Sequence, residues 1–268
     1  MTFSFLTLFP SLIEGYFQES ILKNARNNNL ISIQTIHIRD FALNQYKSVD
    51  SPQIGGGAGQ VLCAQILGEA IESVKSNQIK NKHINTIADE KQKNTSKDSK
   101  KQDFLSPPHI IFATPNGKPF SHSDSIRLSQ KRHIMFVCGR YEGFDERAIE
   151  IWADEVFCVG DFIMTGGELP ALCMCDSIAR QIPGVLGNSD SLHGESFDKF
   201  LLEAPVFARD TVKNSKNKKI KNFPPPSEYS KGNHTIIADL KNNLALCKTQ
   251  YFRPDLFQKW KFTQRLEK

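Results

Sequence analysis

The run Ile134-Met135-Phe136-Val137-Cys138 is wholly apolar and stops at once in Gly139-Arg140-Tyr141-Glu142-Gly143. A strand with one face in water alternates apolar and polar side chains. A short unbroken apolar run instead reads as a strand buried on both faces, as in a parallel sheet. The pattern recurs on either side. Residues 110–113 run into Thr114-Pro115-Asn116-Gly117, and residues 156–159 run into Gly160-Asp161 and then Thr165-Gly166-Gly167-Glu168. Helical segments are expected at 146–153 and 169–181. Strands alternating with helices predict an α/β fold with a parallel sheet covered on both faces. Ligands of open parallel sheets bind beyond the carboxyl ends of the strands. The three loops are therefore read as one shared site. A single glycine turn would mean only a tight connection, but three such loops, one carrying Arg140-Tyr141-Glu142, favour a site.

Toward the N-terminus, residues 1–9 alternate and read as a strand. Residues 10–29 place Ile13, Phe17 and Ile21 four apart on one helical face, ended by the asparagines at 27–29. Residues 30–39 are β-branched and strand-like, and Gly55-Gly56-Gly57-Ala58-Gly59 precedes an amphipathic helix to about Val74. Residues 187–194 are small and polar, as in a linker. Beyond them come Pro224-Pro225-Pro226, a helical pattern at 237–247, and a closing helix with Phe257, Trp260, Phe262 and Arg265. The expected organisation is an α/β domain over 1–186, a linker at 187–196, and a small, mostly helical domain over 197–268.

The net charge is +5 over 268 residues. It is concentrated in two runs, residues 75–103 with eight Lys against four acids and residues 213–222 with five Lys and none, so the rest of the chain is acidic. Both runs are rich in Asn and Ser and are read as disordered insertions, about 76–106 and 213–222. Charge by itself is therefore a weak argument for RNA. The six cysteines form no C-x-x-C pair and four lie in apolar runs, which indicates buried thiols in a reducing compartment and no structural metal. No run is long and apolar enough to span a bilayer, and the N-terminus lacks a basic leader. A cytoplasmic protein is expected. The glycine string lacks the G-x-G-x-x-G spacing, no G-K-[ST] follows a glycine loop, and there is no G-x-S-x-G elbow, so dinucleotide, phosphate-loop and serine-hydrolase chemistry are unsupported.

The longer strings are specific. FVCGRYEGFDER (136–147), VGDFIMTGGELPA (159–171), IPGVLG (182–187), GGGAG (55–59) and KGNH (231–234) closely resemble, in order and over most of the chain, the bacterial tRNA (guanine-N1)-methyltransferase family. The resemblance implies a SPOUT-like parallel α/β sheet tied in a deep trefoil knot, which nothing in the periodicity reveals and base rates disfavour. It also implies a homodimer whose active sites are each built from both subunits, tRNA as substrate, and S-adenosyl-L-methionine as methyl donor, with magnesium as a further candidate. Carried over by position, the donor is held by Thr114, Pro115, Gly139, Tyr141, Glu142, Gly143, Val159, Gly160, Asp161, Phe162, Ile163, Met164, Gly166, Gly167 and Pro170, the strand-end loops already singled out.

The implied acceptor is N1 of the guanosine immediately 3′ of the anticodon. Its proton must leave before N1 attacks, and the charge that develops on O6 must be held. A positioned general base typically contributes ~10²–10⁴-fold, and a forked guanidinium suits an oxyanion. By resemblance the guanidinium is Arg180, two residues before Ile182-Pro183-Gly184. The plain alternative for Arg180 is a cation at a helix C-terminus. The family's base is an aspartate just after the linker, and here Glu195 stands in its place, a departure that keeps the carboxylate and adds a methylene. Glu203 is the next acid in the segment. His193, flanked by glycine, reads as a solvated linker residue. Two alternatives stay open, a related knotted methyltransferase acting on ribose hydroxyls or ribosomal RNA, and a non-catalytic RNA-binding protein silenced by the change to Glu195.

Overall fold

The computed structural model describes residues 1–76, 84–86, 107–188, 194–208 and 224–266. Most of both lysine-rich runs, and His193, lie outside them. The chain divides into two compact units, Met1–Asn188 and Ser189–Lys268.

The first unit is built on strands β1 (Thr2–Thr7), β2 (Ser32–His37), β5 (Ile84–Thr86), β6 (His109–Pro119), β7 (His133–Cys138) and β8 (Glu155–Cys158). They form one sheet in the order β5-β2-β1-β7-β6-β8. The five strands from β2 to β8 pair in parallel. The edge strand β5 runs antiparallel to β2, pairing Ile36 with Ile84. It falls inside the stretch whose composition predicts a disordered insertion, and at 84–86 that expectation is corrected. A short hairpin of β3 (Asp50–Pro52) and β4 (Gln60–Leu62) carries the glycine string at its turn.

Alternate side chains of each central strand feed two cores. Phe3, Phe5, Ile111 and Phe136 pack on one face with α1 (Pro10–Glu14), α2 (Ser20–Asn27), α4 (His122–Leu128) and α6 (Glu168–Ala179). Leu6, Ile36, Phe112, Met135 and Val137 pack on the other with α3 (Ala64–Lys75) and α5 (Glu146–Trp152). The crossovers β1→β2 and β6→β7 step toward β5 over the first face, while β7→β8 steps toward β8 over the second. These three thus have one hand, as expected of parallel crossovers. After β8 the chain turns back over the sheet's carboxyl end, and α6 packs against β7, β1 and α4.

Three local expectations are corrected. The helix expected over 10–29 is broken: a 3₁₀ turn at Gly15–Gln18 follows α1, Glu19 is extended, and Ser20 has φ 58°. The break rotates the second half, so Leu22 is buried and Ile21 is 47% exposed. Residues 114–117 are not a loop after the strand. They are an irregularity within β6, whose pairing with β8 shifts register between Ala113 and Lys118. Burial holds for only some of the thiols: Cys138, Cys158 and Cys175 are buried, whereas Cys173 and Cys247 are exposed. No helix among the described residues is long and apolar enough to cross a membrane.

The second unit contains α7 (His234–Phe252) and α8 (Pro254–Leu266). Asn233 caps α7, accepting the Ile236 N–H at 3.2 Å. Pro254 cannot extend the ladder of α7 and is suited to the first turn of a new helix. Ala245, Thr249, Leu256 and Phe257 are the buried side chains of these two helices.

Candidate active site

The carboxyl ends of β6, β7 and β8 converge on one cavity of about 330 Å³. From β6 it is lined by Ala113, Thr114, Pro115 and Asn116, and from the segment after β7 by Gly139, Arg140, Tyr141, Glu142, Gly143 and Phe144. The segment after β8 adds Val159, Gly160, Phe162, Ile163, Met164, Thr165, Gly166 and Gly167, with Pro170 from α6. Of the fifteen residues singled out for donor binding, only Asp161 is absent from this lining; its side chain is exposed.

Two glycines are required where backbones cross. A Cβ on Gly167 would stand 2.6 Å from the Gly139 nitrogen, and the Gly167 N–H donates to the Gly139 carbonyl at 2.8 Å. A Cβ on Gly117 would stand 2.5 Å from the backbone of Phe157 in β8. Neither obstacle is a side chain that can turn away. The loop after β7 is shaped by Tyr141, held at φ 59°, a conformation rare for an aromatic residue. It is pinned to the β3–β4 hairpin, because Glu142 N–H donates to Gln60 at 2.9 Å and Leu62 N–H donates to Gly143 at 3.0 Å.

A charged brace lies behind the cavity. Glu168, 1% exposed at the start of α6, accepts the Thr7 hydroxyl at 2.7 Å and Arg140 Nε at 2.9 Å. Arg140 Nη1 also donates to the Thr165 carbonyl at 3.2 Å, and the guanidinium lies 4.6 Å from the Phe9 ring centre. The brace therefore joins the end of β1 to the loops after β7 and β8. Sequence reasoning passed over it. Arg140 and Glu168 are 28 residues apart in sequence, and only the fold pairs them. Burial, with the neighbouring Glu168 carboxylate, pushes the Cys138 thiol well above its ordinary value, so it is poorly suited to be a nucleophile.

A second charged cluster holds the irregular part of β6. Lys118 Nζ lies 3.3 Å from both Asp124 and Glu155, and Arg127 meets the same carboxylates at 2.9 and 2.7 Å. Burial alone would raise Glu155, but hydrogen bonds from Arg127 and His109 bring it down to about 2.

The residues expected to do the chemistry are elsewhere. Arg180 caps the C-terminus of α6 and is not part of the cavity lining. At ~1.5 Å rise per residue it stands roughly 18 Å along the helix from Glu168. Glu195 belongs to the second unit, where it lines a separate cavity of about 450 Å³ with Asp198, Lys199, Glu203 and Lys241. Among the described residues no group of three or more His, Cys, Asp or Glu side chains gathers to hold a metal ion.

Comparison with known proteins assigns the family. The tRNA (guanine-1)-methyltransferase family model matches residues 1–259. A tRNA (guanine-N(1)-)-methyltransferase of Helicobacter hepaticus is 54% identical over 261 residues, covering 97% of this chain and 94% of its own. That of Wolinella succinogenes is 51% identical over 265 residues, 98% of both chains. That of Helicobacter pylori is 48% identical over 261 residues, 97% of this chain and all of its own. Matched over almost its whole length, the protein belongs to the tRNA (guanine-1)-methyltransferase family.

Proposed function

We propose that the protein transfers the methyl group of S-adenosyl-L-methionine to N1 of the guanosine immediately 3′ of the anticodon of tRNA. The observation that carries this reading is the convergence of three strand-end loops on one cavity in a chain of this family. Its volume of about 330 Å³ falls within the ~300–1,000 Å³ of small-molecule sites. Its glycine-rich walls expose backbone donors and acceptors suited to an adenosyl group. The bound donor supplies an electrophilic methyl on a sulfonium. Glu195 takes the N1 proton, the freed nitrogen pair forms the new bond to carbon, and Arg180 holds the charge that grows on O6. The carbon–sulfur bond breaks with its electrons going to sulfur, leaving a neutral thioether. A tRNA substrate supports a cytoplasmic location.

The same reading includes the trefoil knot and the homodimer. The backbone crossing of Gly167 over Gly139, behind a segment that doubles back from β8, supports the knot. An exposed apolar face supports the dimer. On α6, Leu169 is 62% exposed and Cys173 is bare, and α1 beside it exposes Leu12 at 54%. Tyr16 adjoins them, and burial together with the nearby Asp176 carboxylate raises its phenol above the ordinary value. A helix apolar on nearly all sides is expected to be covered.

The test of function is methylation of tRNA transcripts with labelled donor. Labelled 1-methylguanosine at the position 3′ of the anticodon is expected, while transfer to ribose, or none with an active control enzyme, refutes the reading. The dimer is tested separately by sedimentation. The wild type is expected at twice the chain mass and Leu169→Glu as single chains; a wild type of single-chain mass at micromolar concentration excludes it.

A further inference from the structure

In the second unit, the chain after Glu195 is unusually strained. Phe197, Lys199 and Phe200 have φ of 80°, 47° and 62°, three side-chain-bearing residues with positive φ within four positions. Such conformations persist only where surrounding structure dictates them, and they cluster at functional segments. The restraints are explicit. Phe197 N–H donates to Leu201 at 2.6 Å, closing the turn on itself, and Glu203 N–H donates to the Ser196 hydroxyl at 3.1 Å. The turn is then fastened to α7 at two neighbouring residues. Lys248 Nζ donates to the Glu203 carbonyl at 3.0 Å, and Leu202 N–H donates to Thr249 Oγ1 at 2.8 Å.

Thr249 is the informative one. It is fully buried, one of few polar residues among those described that are. A threonine inside a helix ordinarily satisfies its hydroxyl on the carbonyl four residues back. Thr249 does so, donating to Ala245 at 2.7 Å, and this orients the oxygen lone pair toward Leu202, 47 residues away in sequence. Glu195, Leu202, Glu203 and Ala245 all line the same cavity. The hydroxyl therefore fixes the height of the strained turn above α7.

We infer that Thr249 is a positioning residue for the general base, acting through the Leu202 backbone to hold the segment that carries Glu195. The inference rests on the reading of Glu195 as the base. Valine at this position keeps the shape and removes the acceptor; serine keeps the acceptor. Single-turnover methylation of tRNA at saturating donor is measured for wild type, Glu195→Gln, Thr249→Val, Thr249→Ser and the Glu195→Gln/Thr249→Val pair, with tRNA affinity measured alongside. Thr249→Val is expected to slow the chemical step by about 10- to 100-fold, the order produced by a displacement of ~1 Å. Its tRNA affinity should stay within about threefold of wild type, Thr249→Ser should restore the rate, and the double variant should be no slower than Glu195→Gln, because both changes disable one function. If Glu195→Gln reacts at the wild-type rate, the reading of Glu195 fails, and the inference with it. If Glu195→Gln is slow, the inference alone is overturned by any of three results: a wild-type rate for Thr249→Val, loss of tRNA affinity that serine does not restore, or full additivity in the pair.

Discussion

Removing the Glu168 carboxylate strikes the brace that joins the end of β1 to the loops after β7 and β8. The side chain is 2% exposed and is the acceptor for both the Thr7 hydroxyl and Arg140 Nε. In Glu168→Ala the Arg140 cation, 19% exposed, loses its counter-charge. Breaking one side of a buried pair costs ~3–5 kcal/mol. Arg140 keeps its bond to the Thr165 carbonyl and has some access to water, and Thr7 Oγ1 still accepts the Phe9 N–H at 2.9 Å. The lower end, about 3 kcal/mol, is therefore the expectation. At ~2–4 °C per kcal/mol for a chain of this size, the melting temperature falls by roughly 6–12 °C. Glu168→Gln keeps one acceptor and should lose about a third as much. Pairing Arg140→Met with Glu168→Met removes both charges and should recover most of the stability, since apolar replacements of buried pairs are often neutral. Donor affinity should stay low, because Arg140 lines the cavity. The assays are thermal unfolding by circular dichroism and calorimetric titration with S-adenosylhomocysteine. A Glu168→Ala melting point within about 2 °C of wild type refutes the argument that this pair holds the loops together.

Gly167→Ala places a methyl against the Gly139 backbone, 2.6 Å from its nitrogen. Overpacking of this kind costs ~1–3 kcal/mol, and S-adenosylhomocysteine affinity should fall by about 10- to 100-fold; unchanged affinity would show that the crossing relaxes freely. Glu155→Gln should be less stable than wild type at neutral pH. The Glu155 carboxyl is lowered in the folded state from its ordinary 4.5 to about 2, so its contribution is present above pH 4.5 and lost as pH falls toward 2. The gap in melting temperature between the two proteins should close over that window, and a gap that persists to pH 2.5 is the contrary result. Deleting residues 88–105, which spares β5, should leave tRNA affinity within about twofold and its salt dependence unaltered; a shallower salt slope would mean that these lysines meet phosphates.

What the sequence made legible follows from where the information is local. Residues 134–138 announce a doubly buried strand because every side chain is apolar, and β7 is found at His133–Cys138. The helix at 122–128 carries its own local signal, Ser121 with Asp124 three residues on, a capping box that the structure forms. Pro115 argued against a continuing strand, yet β6 passes it by shifting register, which only the pairing partner β8 makes possible. Ile13, Phe17 and Ile21 fit one helix by spacing, but the positive φ at Ser20 is a tertiary outcome that no spacing encodes. The Thr7–Glu168–Arg140 chain joins residues 161 and 28 apart, and a linear pattern has no term for such pairs. The acceptor role of Thr249 was hidden for the same reason.

The geometry of α6 bears on how the proposed chemistry is assembled. Its N-terminal end, with Gly167 and Pro170, lines the strand-end cavity, whereas Arg180 caps its other end. A guanidinium roughly 18 Å away along a straight helix does not reach the cavity of its own chain. If Arg180 stabilises guanine O6, it does so in the cavity of a second copy. The exposed Leu169 and Cys173 lie along the same helix. Two copies packed antiparallel on this face, about a two-fold axis perpendicular to the helix, would set each α6 C-terminus beside the other chain's N-terminus. Complementation tests this directly. Arg180→Ala and Gly167→Ala chains should each be nearly inactive alone. Unfolded together and refolded, half of the dimers are mixed, and one of the two sites in each has an intact cavity and an intact arginine, so about a quarter of wild-type activity should return. If the mixture stays as inactive as its parents while mixed dimers are present, Arg180 acts within its own chain, and the path from α6 to the substrate must be another one.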